Sequence, residues 1–311
     1  MDFASRSVQL MGSAISVSLL HEQAETLLDE TVRLLHLYKH RFSANDDDSE
    51  LMMINHMAGI ERVPVHPELF ELIEIGKKHS LAAKSHLNIT IGPLVQTWRI
   101  GFSDARLPSS YEISQALALT DPDLIDLDPE SHSVFLAEKG MKIDLGALAK
   151  GYIADRIKDY LQAQGVTSAL INLGGNVLTL GENEVTQRPW RIGIQNPKLP
   201  RGKHSAILTV TDQSVVTSGI YERTLQTEGK SYHHILDRET GYPVDSPLAS
   251  ITILSDKSVD GEIWTTRLFG EAPASILAQI EAQEGIEALI ITQDDRIFCS
   301  SGVLPHLTVA S

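Results

Sequence analysis

Residues 141 to 155, Met-Lys-Ile-Asp-Leu-Gly-Ala-Leu-Ala-Lys-Gly-Tyr-Ile-Ala-Asp, decide how the chain is read. They predict a short strand at 142–144, a glycine turn at Gly146 and then a helix carrying Lys150. Ala149, Ile153, Ile157 and Leu161 recur at a four-residue spacing, while Asp155, Arg156, Lys158 and Asp159 fall elsewhere, as an amphipathic helix requires. A helix that starts straight after a glycine turn points free N–H groups and the positive end of its dipole outward, which suits a phosphate or another anion. Asp144 before the turn and Lys150 one turn in add a carboxylate and a cation, making a candidate diphosphate and metal corner. Strand–glycine–helix junctions are common, however, and most bind nothing; neither a Rossmann glycine fingerprint nor a Walker loop is present.

Working outward, alternation over residues 6–20 predicts a hairpin broken at Met11-Gly12-Ser13. A helix is expected over 22–41, a polar loop over 42–51 and a second helix over 67–84. Residues 87–98 read as an apolar, turn-rich stretch, and a short helix is expected near 111–119. Three adjacent aspartates, Asp46 to Asp48, lack the glycine and glutamate spacing of an EF-hand and read as a solvated turn. The second half is strand-rich: 168–173, 190–195, 206–210, 214–217, 232–236, 250–254, 288–292 and 296–300, with helices over 262–269 and 274–282. Strands that adjoin in sequence, with helices inserted in groups, predict an α+β (mixed α/β) sheet in preference to a doubly wound parallel one.

The chain has 311 residues, enough for one large domain or two intimate subdomains, and no composition shift marks a hinge. One cysteine, Cys299, excludes an internal disulfide and any multi-cysteine metal centre; it reads as a buried residue of a late strand. A formal charge of −15 argues against nonspecific nucleic-acid binding, so an anionic substrate would be held by local groups. No apolar run approaches the roughly 20 residues that span a bilayer, and the N-terminus carries no signal-peptide pattern. A cytoplasmic protein is expected.

Four more stretches carry candidate chemistry. Ile171-Asn-Leu-Gly-Gly-Asn176 ends a buried strand with paired glycines, and Gly175 allows close backbone approach to a ligand. Val216-Thr-Ser-Gly-Ile-Tyr221 clusters hydroxyls, Ser218 among them, with a glycine. His233-His234 precedes a Thr-Gly-x-Pro turn, and because neighbouring strand residues face opposite ways, at most one of the two faces a given site. In Asp260-Gly-Glu-Ile-Trp-Thr-Thr266, Glu262 and Thr266 are four apart on a helix and form a hard-oxygen pair suited to Mg²⁺. The plainer alternative is a capped helix with an exposed glutamate.

Together these stretches resemble the ApbE family of flavin transferases. The resemblance covers Met11-Gly-Ser13, Ser43…Ser49-Glu-Leu51, Ile91-Gly-Pro-Leu-Val95 with Trp98, Asp144-Leu-Gly-Ala-Leu-Ala-Lys-Gly151, Gly174-Gly-Asn176, Trp190 to Pro197, Thr217-Ser-Gly219 and His234-Ile-Leu-Asp237. It implies a two-lobed fold with FAD between the lobes, spanning 1–311 as a single domain. It also implies Mg²⁺-dependent transfer of FMN from FAD to a threonine or serine hydroxyl of an acceptor protein, with AMP leaving. On the same grounds Ala147 (main-chain carbonyl), Glu262 and Thr266 would hold Mg²⁺, with Glu262 standing where the family usually has aspartate and Asp260 a possible substitute. Met11, Asp144, Lys150 and Ile235 would contact FAD. Asn45 stands where relatives often have tyrosine, and Leu87-Asn88-Ile89 where they commonly have a Phe-Asp pair, so the flavin-ring contacts depart from the pattern. His234 matches the base for the acceptor hydroxyl. An FAD-holding module without catalysis, or an FAD hydrolase releasing FMN and AMP, are the alternatives.

Overall fold

The computed structural model describes residues 2–227 and 229–309. The first half runs β1 (Asp2–Leu10), β2 (Ser13–His21), α1 (Ala24–Phe42), α2 (Glu50–His56), β3 (Val63–Pro64), α3 (Pro67–Ser80), α4 (Gly92–Trp98) and α5 (Ser110–Leu117). Next come β4 (Ile125–Asp128), β5 (Ser133–Leu136), α6 (Ala149–Ala163), β6 (Ser168–Leu173), β7 (Asn176–Leu180), β8 (Trp190–Gln195) and β9 (His204–Val210). The chain continues with β10 (Ser214–Gly219), β11 (Thr224–Thr227), β12 (Lys230–His233), β13 (Leu248–Ser255), α7 (Ser258–Leu268) and α8 (Pro273–Ile280). It ends with β14 (Ile286–Thr292), β15 (Ile297–Cys299) and β16 (Leu307–Val309).

Eight strands form the main sheet in the order β1-β2-β6-β7-β10-β13-β14-β15, and every described pairing is antiparallel. The order explains the strand chemistry. Its interior strand β13 is buried at every residue, because both faces are covered. Ile251, Ile253, Ala288 and Ile290 face the helix layer, whereas Leu254, Leu289 and Ile291 face the small β16-β9-β8 sheet, so alternate residues feed two cores. At β2, Ile15, Val17 and Leu19 are buried and the serines between them are not, the period-two pattern of a strand packed on one face.

A third cluster, Leu94, Trp98, Ile100, Ile113, Ala116 and Leu236, joins α4 and α5 to the segment after β12. Trp98 is fully buried there and donates its indole N–H to the Gly241 carbonyl at 2.8 Å, anchoring the turn that follows His234.

Register places the glycine motifs together. Leu173 pairs with both Ile15 and Asn176, and Ser214 and Val215 pair with Leu178 and Val177. Hence the Met11–Gly12 turn, the Gly174–Gly175 turn and the end of β10 at Ser218–Gly219 emerge at one end of the sheet. A Cβ on Gly174 would lie 2.5 Å from that of Ser13, so the two turns touch.

Several sequence expectations change. The predicted strand at 142–144 is extended but pairs with no strand: the Asn55 amide takes the strand's role, accepting from Ile143 N–H at 2.7 Å and donating to its carbonyl at 3.0 Å. The turn-rich stretch contains α4, because Gly92-Pro93 opens a helix where proline needs no N–H partner. The helix α3 stops at Ser80, four residues early, and α2, β4 and β7 were not foreseen. Among the described residues no helix is long and apolar enough to cross a membrane.

Candidate active site

The corner is built where α6 crosses α7. A Cβ on Gly151 would meet the Ser258 carbonyl oxygen at 2.5 Å and Glu262 Cγ at 2.7 Å, so only hydrogen at position 151 lets the helices approach this closely. Glu262 is 6% exposed, which overturns the reading of an exposed glutamate. Its Oε1 accepts from the Asn176 amide at 2.9 Å. The Asn176 side-chain oxygen Oδ1 in turn accepts from Ser258 Oγ at 2.6 Å, and Ser214 Oγ donates to Ser258 Oγ at 3.0 Å. Burial raises the Glu262 carboxyl above its ordinary range, opposed by the Lys150 charge, the Asn176 amide and the Gly151 N–H.

Asp155 belongs to the same structure, one turn below Gly151. It lies off the four-residue apolar stripe, yet it is buried and accepts from Ser258 N–H at 2.7 Å and Val259 N–H at 2.9 Å. These are first-turn N–H groups of α7, which have no partner within their own helix. Burial lifts this carboxyl to about 6 against those two hydrogen bonds. Asp155 thus ties α7 to α6 from inside the protein.

The turn before α6 differs from the expected geometry. The helix starts at Ala149, and the Leu145 carbonyl already accepts from Leu148 and Ala149 N–H groups at 2.9 and 2.8 Å. Asp144 Oδ1 accepts from Gly146 N–H at 2.7 Å, and burial raises its carboxyl while that hydrogen bond and the Arg223 charge oppose the rise. Ala147 and Lys150 are half-buried beside it, and Thr266 is half-buried one helical turn beyond Glu262.

The remaining candidates divide. Met11 takes the left-handed conformation at φ 52° in the hairpin turn, and Gly175, exposed at φ 101°, has its N–H held by Asn172 at 2.9 Å. Ser218 and Ile235 are half-buried, and Met11, Ala147 and Ile235 all pack on the rim of the main core. Asn45 is exposed and lines a cavity of about 220 Å³ with Ala44, Asp47, Met52, Gln96, Arg99 and Lys142. Leu87, Asn88 and Ile89 lie inside the fold. Asn88 is spent on Thr90 and Thr120, and the main chain of Ile89 on Ser80 and Asp144. A larger hollow of about 350 Å³, at Gly165, Gly181 and Asp212, lies at the far end of the sheet and contains none of these residues.

The two histidines separate as the strand alternation requires. His233 has both ring nitrogens engaged: Nδ1 accepts from Ile235 N–H at 3.3 Å and Nε2 faces the Val244 carbonyl at 3.0 Å. Among the described residues His234 has only Nδ1 against a protein acceptor, the Arg223 carbonyl at 3.4 Å. A proton on Nδ1 satisfies that carbonyl and leaves Nε2 with a free lone pair. Burial and the Arg223 charge push this imidazole down to about 4, so it is neutral at physiological pH.

Sequence reasoning overlooked Asp155, Asn176 and Gly151 as site-building residues. Gly151 and Asn176 stood within quoted motifs, but nothing local in the sequence marked their contacts with α7. Among the described residues no three His, Cys, Asp or Glu side chains converge as a metal centre.

The family model described as ApbE family matches residues 11–290. The FAD:protein FMN transferase of Klebsiella pneumoniae (strain 342) is 45% identical over 297 residues, which is 96% of this chain and 92% of the relative. That of Treponema pallidum (strain Nichols) is 34% identical over 92% of this chain and 83% of its own. Among solved structures, the ApbE protein of Thermotoga maritima superposes with a TM-score of 0.90 at 25% identity, covering 98% of this chain and 99% of its own. The flavin transferase ApbE from Vibrio cholerae gives 0.86 at 26% identity, covering 98% and 99%. The mixed α/β architecture is the one these proteins share. The chain belongs to the ApbE family.

Proposed function

We propose that this chain transfers FMN from FAD to a threonine or serine hydroxyl of an acceptor protein, with Mg²⁺ bound and AMP released. The observation that carries the reading is Glu262, a buried carboxylate fixed by Asn176 beside the Lys150 charge and packed on Gly151, where the family-matching Asp144–Gly151 segment ends. The donor set fits Mg²⁺, which takes oxygen ligands and usually combines one or two carboxylates with phosphate oxygens. Glu262, the Thr266 hydroxyl and the Ala147 carbonyl would hold it. A metal held there would supply Lewis-acid charge stabilisation for phosphoryl transfer. FAD is held between two closely joined lobes, with Met11, Gly175, Ser218 and Ile235 at its rim.

The chain's own residues then do the following. Lys150 offsets diphosphate charge. His234 Nε2 accepts the acceptor's hydroxyl proton as that oxygen forms a bond to the FMN phosphorus. The P–O bond to the AMP half breaks, and AMP carries away the electron pair. Catalysis of this kind rests on positioning and charge neutralisation. The test is to incubate the protein with FAD, Mg²⁺ and a family-type acceptor and weigh the acceptor. Gain of the FMN mass less one water, with equimolar AMP, is expected; AMP release without acceptor labelling would identify a hydrolase instead.

A further inference from the structure

We propose that the Arg223 guanidinium is a second cation for the FAD diphosphate, acting alongside Lys150. The inference rests on the function proposed above and adds a binding residue to it. It starts from where the chain runs. Leaving β10 at Gly219, on the glycine-rich end of the sheet, the backbone reaches Arg223 just before β11. The side chain then threads between two glycines. Its Nη2 lies 3.5 Å from where a Cβ on Gly12 would stand, and its Cδ lies 2.7 Å from where a Cβ on Gly101 would stand. Both glycines have left-handed φ, 70° and 93°, so the stem occupies space that only glycine leaves open. The guanidinium is therefore steered to the Met11–Gly12 turn by packing.

Its electrostatic setting is unusual for this chain. With 41 acidic and 26 basic residues, arginines find carboxylates readily. Arg99 pairs with Asp104, Arg106 with Glu112 and Arg201 with Glu222, all within 3.1 Å. Among the described residues the Arg223 guanidinium makes neither an ion pair nor a side-chain hydrogen bond, although it is half-buried. Its charge nevertheless reaches Asp144 on the corner and His234, whose ring its own carbonyl orients. The cation thus lies within electrostatic reach of both the proposed diphosphate corner and the proposed base. A guanidinium fork matches phosphate oxygens bidentately, and a charge held there by packing needs no rearrangement as phosphoryl transfer proceeds.

The experiment compares full-length wild type with Arg223→Gln and Arg223→Lys. Dissociation constants are measured for FAD, and for riboflavin, which has no phosphate. Arg223→Gln is expected to weaken FAD binding tenfold or more and to leave riboflavin binding within twofold, with Arg223→Lys in between. The His234 imidazole, followed by NMR titration without ligand, should titrate at higher pH in Arg223→Gln. Equal losses for FAD and riboflavin, or an FAD constant within twofold of wild type, would overturn the proposal. Because the binding readouts need no acceptor, they stand even if wild type labels no acceptor, the outcome that would sink the proposed function.

Discussion

Glu262 and His234 serve the same site, and the chain holds them by different means. Around Glu262 the partners are buried side chains and main-chain groups at 2.6 to 3.0 Å, drawn from α6, α7, β7 and β10. Around His234 the contacts are main-chain ones at 3.2 and 3.4 Å, beside a two-stranded ribbon whose residues are mostly exposed or half-buried. The difference follows from what each group does when no ligand is present. A buried carboxylate must be satisfied by fixed donors or it will not stay charged. A base that works on another protein's hydroxyl must be reachable from outside. One wall is therefore built in advance and the other is open.

The contrast can be broken or sharpened by substitution. Glu262→Ala strikes the prebuilt wall and should cut the FMN transfer rate by about 10³-fold or more, several kcal/mol of transition-state stabilisation. A Mg²⁺ titration of the rate would check it, and full activity would remove Glu262 from the metal site. His234→Ala should slow transfer by about 10²-fold to 10³-fold while FAD affinity stays within about twofold. Because the neutral form is the base and its pKa is about 4, wild-type kcat/KM should hold as pH falls from 7 to 5 and drop only near 4.

Asp155 tests the prebuilt wall through stability. Its folded pKa of about 6 is above the ordinary value of 3.8, so between these the folded chain binds the extra proton and stability is lost as pH rises. The stability of wild type minus that of Asp155→Asn, from urea melts, should therefore fall by up to about 3 kcal/mol between pH 4 and pH 7. A flat difference would mean the carboxyl is not strained by burial. Asn176→Ala should have the smallest effect, weakening Mg²⁺ binding by about tenfold by calorimetry, because it frees a metal-ligating carboxylate to reorient.

How much of this could be read from the chain depends on whether a residue's partner is near in sequence. Most strands of the second half were legible because burial on both faces concentrates apolar residues, as Leu248, Ile251, Ile253 and Leu254 do in β13, whereas β7 was not. Glu262 with Thr266 was legible because four residues on a helix fix a shared face. Asp155 was not, since its partners are main-chain N–H groups about a hundred residues away. Nor did the sequence show that the buried Asn88 amide bonds to Thr90 and Thr120, the latter 32 residues away. Periodicity could not show that Asn55 replaces a strand partner at Ile143 either, because a side-chain amide mimicking the backbone has no repeat.

The hydrogen-only gap at Gly151 ties two distant choices into one. The volume that a methyl at 151 would claim is already filled by the Ser258 carbonyl oxygen and by Glu262 Cγ, so the residue at 151 and the path of α7's main chain are fixed together. Homologous chains that keep this crossing are expected to keep glycine there, since an aspartate in place of Glu262 still carries a Cγ and leaves the Ser258 carbonyl where it is.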